Sequence, residues 1–255
     1  MAFKRLIALV PVQNGQVVMS YGYLRHRPAG SLRTVLKNLD RWGIDEIAVI
    51  DISRNIKKPD LSILEQIRAS SVRTPIAYGG GIRSATHAVE AVVKGCDRVI
   101  VETLLWQDPK EIDRIAASIG QQAIIGAVPL VIGSKGLSVA PVNASRNESF
   151  IDFINHANDL AISELMIIDR ANEGLAGSNQ ISKFMHTTDT IHKLIWFGGL
   201  NPSLSAELLK RPDTVGVAFG NPLLANELAI NTYRSEINVH SRQQLIRKVR
   251  PNGGE

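Results

Sequence analysis

The chain has 255 residues, 44% hydrophobic and 21% charged, with a formal net charge of +5 and an isoelectric point near 9.4. Those proportions belong to an ordinary globular protein with ample material for a core. The mild basic excess suits anionic small molecules, and no Lys/Arg run is interleaved with aromatics, so nucleic acid is not expected as a partner. Cys96 is the only cysteine, which excludes an internal disulfide and a thiolate metal site and fits the reducing cytoplasm. The apolar stretch LIALVPV is too short for a membrane span and no small-residue cleavage site follows it, so neither an anchor nor a signal peptide is expected.

Leu6 to Val12 is an unbroken apolar run of strand length, as in a strand buried on both faces. Gln13 to Gly30 is long, polar and without period, and a loop of that length in a compact domain is usually functional, often a lid. Ser31 caps a helix running to Trp42, with Val35, Leu36 and Leu39 inward and Gly43 as terminator, and Ile47 to Ile52 makes the second strand. The alternation continues with helix Asp60 to Ala69, strand Pro75 to Tyr78, helix Ser84 to Lys94, strand Arg98 to Glu102, helix Pro109 to Ser118 capped by Asp108, and strand Ala123 to Val128. Pro129 to Glu148 is less regular, with a short hairpin expected from Val131-Ile132 and Gly136 to Ala140. Helix Ser149 to Leu160, strand Leu165 to Asp169, helix Ser178 to His186 and strand Leu194 to Phe197 follow. Helix Ser203 to Lys210, strand Thr214 to Phe219 and a last helix Ser241 to Val249 complete the pattern, and the tail after Pro251 is expected to fray. Eight strand–helix pairs with continuous apolar strands predict a closed parallel (β/α)8 barrel of the α/β class.

Tyr78 to Ser84, YGGGIRS, is the stretch around which the function is organised. Three glycines directly after an apolar run remove every Cβ where a strand ends, so backbone N–H groups can face a ligand closely, with a helix N-terminus behind them. That is the composition of a phosphate cup; a tight strand-to-helix turn without a ligand has the same composition. The motif occurs twice: WFGGLNPS, Trp196 to Ser203, brings a second Gly-Gly, and Gly80 and Gly198 stand 118 positions apart. Asp51 and Asp169, Glu46 and Glu164, and Pro11 and Pro129 keep the same separation of 118. The constant offset reads as an internal duplication, so that residues 1–255 form one barrel of two similar half-barrels, about 1–119 and 120–255.

The last strand ends in AFGNPLL, where Pro222 suits the first turn of a short helix aimed at the barrel mouth. In such barrels the loops after strands seven and eight commonly hold a phosphate. Gly198, Gly199, Gly220 and Asn221 are therefore expected to form one cup, and Gly80, Gly81 and Thr103 its mate across the mouth. Two opposed cups suit an elongated, phosphorylated small molecule.

With these motifs assembled, the chain resembles the cyclase subunit of imidazole glycerol phosphate synthase, the HisF family. The resemblance rests on KRLIALVPVQNGQVV at 4–18, IDEIAVIDIS at 44–53, YGGGIRS at 78–84, IIDRANEG at 167–174, GGL at 198–200 and AFGN at 218–221. It implies a barrel that joins ammonia from a glutaminase partner to a bis-phosphorylated substrate, with no cofactor or metal. In that family strands one and five each end in a catalytic Asp, but here Pro11 and Pro129 stand there, and proline can neither take nor give a proton. The family's loop-one Lys falls on Met19 and its Asn after strand four on Glu102. Asp51, Asp169 and Glu102 are the carboxylates left to consider at the mouth, the first two as a symmetric pair.

Arg5, Glu46, Arg98 and Glu164 stand just before strands one, two, four and six, hence at the N-terminal end of the barrel. They match the charged ring that gates ammonia entry in the family; a salt-bridge plug of the barrel bottom is the other reading. A barrel with this ring and without the cyclase acids also resembles paralogues of surface-polysaccharide pathways, in which the barrel pairs with a glutaminase and ammonia passes to a sugar amidotransferase. KPD at 58–60 before YGGGI at 78–82 is similar to theirs. The leading expectation is thus a barrel subunit that docks a glutaminase and conducts ammonia. An active cyclase (lyase) of histidine biosynthesis and a phosphate-binding barrel without catalysis are the alternatives.

The remaining residues of chemical interest read as background. His26, His87, His156, His186, His192 and His240 show neither i, i+4 pairing nor a carboxylate at ligand spacing, so no metal site is expected. Ser134 in GSKG lacks the glycine pattern of a nucleophile elbow. Arg242, Arg247, Lys248 and Arg250 read as a solvated face of the last helix, and Trp42, Trp106 and Trp196 as core or rim packing.

Overall fold

Strands that are apolar on both faces need cover inside and outside, and the computed structural model closes them on themselves. It describes residues 3–53, 56–133, 136–141, 148–182 and 190–247. In chain order these form β1 (Arg5–Gln13), β2 (Gln16–Tyr21), β3 (Arg25–Gly30), α1 (Leu32–Arg41), β4 (Glu46–Asp51), α2 (Leu61–Ser70), β5 (Ile76–Gly79), α3 (Ala85–Val93) and β6 (Arg98–Val101). Then come α4 (Leu104–Gln107), α5 (Pro109–Ile119), β7 (Ile124–Gly133), β8 (Gly136–Val139), β9 (Glu148–Ser149), α6 (Phe150–Ala157) and β10 (Glu164–Asp169). The last are β11 (Lys193–Phe197), α7 (Pro202–Leu209), β12 (Thr214–Phe219), α8 (Asn221–Ala225) and α9 (Ala229–Ser241). β1, β4, β5, β6, β7, β10, β11 and β12 pair in parallel, and β12 pairs with β1 to close the ring. The fold is a (β/α)8 barrel.

The two-residue period of a strand sorts its side chains into two cores. Leu6, Ala8 and Val10 of β1 join the layer between barrel and helices, whereas Ile7 and Leu9 point into the barrel with Ala48, Ala77, Ile100, Ala127, Met166 and Phe197. The same period puts Arg5 at the bottom of the inner face and Pro11 at its top. Ser31, Asp60, Ser84, Asp108, Ser149 and Asn201 each accept from a backbone N–H of the first helical turn, so six of the described helices are capped where they leave the mouth.

Three expectations are corrected. Gln13 to Gly30 is not an irregular loop: Asn14 and Gly15, at φ 50° and 77°, turn β1 back into β2 and β3. An Asn-Gly pair is the strongest short hairpin signal, and the polar composition of β3 hid it. The last helix of the described residues is Ala229–Ser241, not Ser241 to Val249, and Arg242 ends it in the left-handed region at φ 55°. Its inner face carries Arg234, buried and bound to Asp45 at 2.9 Å, Gly43 O at 2.6 Å and Arg247 O at 2.7 Å, so a charge interrupts the apolar stripe that would have marked the helix. Arg242 and Arg247 accordingly lie beyond the helix, where Leu245 O accepts from Lys4 N–H at 2.9 Å. The helix expected from Ser178 does not begin there: Ser178 to Gln180 are irregular, because Asn179 and Gln180 use their backbone N–H groups on Gly199 O and on the Asp169 carboxylate.

The later part of that expected helix, including His186, lies outside the described residues, as do Ser134, Lys248, Arg250 and the tail after Pro251. A one-turn helix, α4, separates β6 from α5. The expected hairpin after β7 is present as β8, and Trp196 is fully buried, its Nε1 donating to Thr214 Oγ1 at 3.0 Å. Among the described residues no cluster of His, Cys, Asp and Glu could hold a metal, and no helix is long and apolar enough to cross a membrane.

Candidate functional site

Among the described residues a cavity lies beside each glycine-rich strand end at the C-terminal mouth of the barrel. Gly80, Gly81 and Thr103 line the first, of about 110 Å³, together with Asp51, Arg83 and Glu102 over a floor of Leu9, Ile100, Ala127, Met166 and Ile168. Gly198, Gly199, Gly220 and Asn221 line the second, of about 20 Å³, room for little more than a water. The sets singled out from sequence are thus gathered at two places on one rim.

The glycines have structural reasons of their own. A Cβ on Gly81, at φ 72°, would stand 2.2 Å from Lys58 O, and one on Gly80 2.6 Å from Asp51 Cβ. Across the barrel, Gly198 would meet Asp169 O at 2.4 Å and Gly199 would meet Asn179 N at 2.5 Å. Asp51 and Asp169 are the props of these turns. Asp51 accepts from Ser53 N at 2.9 Å, and Asp169 from Gln180 N at 2.8 Å and from the Asn172 amide at 3.0 Å. Both follow inward-facing Ile50 and Ile168, so the strand period turns them away from the axis. Burial raises the Asp51 carboxyl above its ordinary pKa, although the Ser53 hydrogen bonds pull it down. Pro11 and Pro129 are buried at the inward ends of β1 and β7, paired with Ile50 and Ile168, so neither position offers a proton.

The β2–β3 hairpin folds across this rim and brings in residues that the sequence did not single out. Glu173, 1% exposed, accepts from Ser20 Oγ at 2.9 Å and Tyr23 N at 3.1 Å, and its carbonyl accepts from Gly22 N at 2.9 Å. The Asn221 amide pairs with Ser20 both ways, accepting from its N–H at 3.0 Å and donating to its O at 2.7 Å. Tyr23 packs on the inner core of the barrel. No periodicity marks Glu173 or Tyr23; only the Gly22 between two tyrosines hinted at a tip.

Burial raises the Glu173 pKa above the ordinary 4.5, outweighing its hydrogen bonds from Tyr23, Ser20 and Gly22. A carboxyl whose folded pKa exceeds its unfolded one contributes its stability in full below the unfolded value and loses it as pH rises through the folded one. Glu173→Gln does not titrate. Urea midpoints of the two proteins are therefore expected to diverge from about pH 4 towards neutrality, the wild type falling relative to the variant. A constant difference across that range would mean that Glu173 titrates as in the unfolded chain.

At the other end of the barrel Arg5, Glu46, Arg98 and Glu164 close a ring. Arg5 Nη1 lies 2.7 Å from Glu46 Oε2 and its Nη2 2.7 Å from Glu164 Oε2, while Arg98 Nη1 lies 2.8 Å from Glu164 and 3.5 Å from Glu46. Arg98 Nη2 also donates to Ser163 Oγ at 2.8 Å. Burial raises the Glu46 pKa against the pull of Arg5 and Arg98; burial lowers that of Arg5, but Glu46 and Glu164 outweigh it and hold it above its ordinary value.

A closed eight-stranded barrel with glycine-rich turns at its C-terminal mouth places the protein among (β/α)8 barrels that keep their functional end there. Residues 5–228 match the family model described as "Histidine biosynthesis protein", and the chain belongs to that family. It is 27% identical over 194 residues, 74% of this chain and 77% of the other, to "Imidazole glycerol phosphate synthase subunit HisF" of Chlorobaculum tepidum. It is 25% identical over 225 residues, 85% of this chain and 88% of the other, to "Putative imidazole glycerol phosphate synthase subunit HisF" of Leptospira interrogans. A shorter match, 34% identical over 129 residues and about half of each chain, is to "Imidazole glycerol phosphate synthase subunit HisF" of Chlorobium phaeobacteroides.

Proposed function

We propose that the chain is the HisF-like barrel subunit of a glutamine amidotransferase system, docking a glutaminase at its N-terminal face and conducting ammonia to the mouth. The observation that carries this reading is the Arg5–Glu46–Arg98–Glu164 ring, which stands across the axis at the end opposite the cavities. Between them the barrel interior is apolar and contains four alanines, Ala48, Ala77, Ala127 and Ala218. Such a path suits neutral ammonia, since shedding hydration costs ammonium far more. Phe3, Val93 and Ile191, which precede strands on the same end, are 53%, 72% and 74% exposed and offer apolar contact to a docked partner. The relatives are named as subunits.

The barrel itself does no cyclase chemistry in this reading, because Pro11 and Pro129 occupy the inward strand ends where an acid and a base are needed. Asp51 and Asp169 are engaged by their turns. The acceptor we propose is a sugar of a surface polysaccharide, reached through a sugar amidotransferase, and the glycine-rich rim holds a phosphorylated small molecule. The chain descends from two half-barrels: Pro11 pairs with Ile50 and Val12 with Asp51, as Pro129 pairs with Ile168 and Leu130 with Asp169, each residue 118 positions from its counterpart.

The test is co-purification of the barrel with glutaminases encoded beside it, together with assay of the barrel alone on the cyclase substrate plus an ammonium salt. A stable complex is expected, with no product above the uncatalysed rate. Turnover at enzymatic rates would restore the cyclase of histidine biosynthesis, and failure to bind any glutaminase would leave a phosphate-binding barrel.

A further inference from the structure

The first cavity is lined by groups of opposite kind. Gly80, Gly81, Thr103 and Arg83 bring hydrogen-bond donors to it, whereas Asp51 and Glu102 bring carboxylates, over the apolar floor described above. Glu102 and Thr103 are neighbours in the chain, so a phosphate seated on the Thr103 hydroxyl stands beside a negative charge. Arg83, the cation among the described lining residues, is exposed, and its Nη2 donates to Ile56 O at 3.3 Å, so solvent screens it and a carbonyl shares it. A phosphate dianion alone therefore meets two carboxylates and one screened guanidinium, which is a poor electrostatic match. A ligand that brings a positive charge of its own finds a partner for each end. Both carboxylates have interactions already, Asp51 with Ser53 N at 2.9 Å and Glu102 with Tyr23, but a carboxylate offers about four lone-pair sites and can accept a further N–H.

We propose that the first cavity takes a phosphomonoester whose short carbon chain also carries a protonated amine, the phosphate held by Gly80, Gly81 and Thr103 and the ammonium by Glu102 and Asp51. This rests on reading the glycine-rich rim as a phosphate site, and it names the class of ligand that the rim selects. The size of the cavity agrees. One water needs roughly 10–15 Å³ of such a cavity, so about 110 Å³ holds on the order of eight non-hydrogen atoms, the number in a phosphate joined to a two-carbon amine. The second cavity, at about 20 Å³, has no room for such a ligand, and its lining includes no carboxylate.

The probes are O-phosphoethanolamine, n-propyl phosphate, which has the same shape with a methyl group in place of the ammonium, and inorganic phosphate. Each is titrated calorimetrically into the wild type, Glu102→Gln and Thr103→Val. The wild type is expected to bind phosphoethanolamine about tenfold or more tightly than n-propyl phosphate. Glu102→Gln removes the charge and keeps the shape, so it should weaken phosphoethanolamine, strengthen n-propyl phosphate and bring their ratio near one. Opposite changes for two ligands of one shape are not produced by a loss of folding, which weakens both. Thr103→Val should weaken all three probes alike. A wild type that binds phosphate and n-propyl phosphate without favouring the amine overturns the proposal and leaves the rim a phosphate site. An amine preference that survives in Glu102→Gln overturns it too, as do affinities that Thr103→Val leaves untouched, for the ligand then sits elsewhere. Binding of none of the probes to the wild type removes the phosphate reading of the rim and this proposal together.

Discussion

Arg5→Ala lowers the stability of the barrel by about 3 kcal/mol, read as a shift in urea midpoint, because it strips a buried carboxylate of its nearest counter-charge. Glu46 is 3% exposed and would keep only Arg98, at 3.5 Å, whereas Glu164 would retain Arg98 at 2.8 Å. The loss therefore falls chiefly on Glu46. Under the proposed function the same variant, co-expressed with a glutaminase and an amidotransferase encoded beside it, also lowers the yield of product from glutamine while leaving use of free ammonium salts largely intact. Equal loss with both nitrogen sources would make the ring a plug of the barrel bottom and nothing more. Arg5→Lys is the control: it keeps a charge but cannot bridge two carboxylates with a planar fork, so part of the stability loss should remain.

Gly81→Ala destabilises by roughly 3 kcal/mol or more, for the Cβ has no room and the backbone no alternative. The atom it would meet is Lys58 O at 2.2 Å, main chain rather than a movable side chain, and the residue is left-handed at φ 72°. Gly22→Ala supplies the comparison. It too is left-handed, at φ 63°, but nothing lies within 4 Å of its added Cβ. The conformational penalty of about 1 kcal/mol therefore stands alone. Similar midpoints for the two variants would show that the β4–α2 loop yields to the methyl group and that the glycine run answers to something other than packing.

The barrel was legible because its strands are apolar on both faces, a pattern that parallel sheets share with little else, and because caps such as Ser31, Ser84 and Asp108 announce their helices locally. The gathering of Gly80, Gly81 and Thr103 at one place and of Gly198, Gly199, Gly220 and Asn221 at another followed from the fold, since strand ends of a barrel meet at one rim. What escaped depends on contacts distant in sequence. Glu173 is an unremarked loop residue until Ser20 and Tyr23 arrive from the far side of the chain. Asp51 and Asp169, read as a symmetric pair at the mouth, do not point at the barrel axis, because their parity on β4 and β10 is opposite to that of the inner core, and of the two Asp51 lines the first cavity. α9 hid because Arg234, a charged residue, occupies an inward position that only Asp45 and two carbonyls make tolerable.

That same clamp, with the hydrogen bond from Lys4 N to Leu245 O, joins the first strand's entry to the segment after α9. During synthesis the N-terminal half of the barrel emerges with β1 lacking its β12 neighbour, and no local pairing can supply one. An open parallel edge must wait on the ribosome until almost the whole chain has been made. The barrel is therefore closed late, from the back, and a chain shortened before Arg234 would keep every glycine of the mouth yet lose the fastening that holds its seam shut.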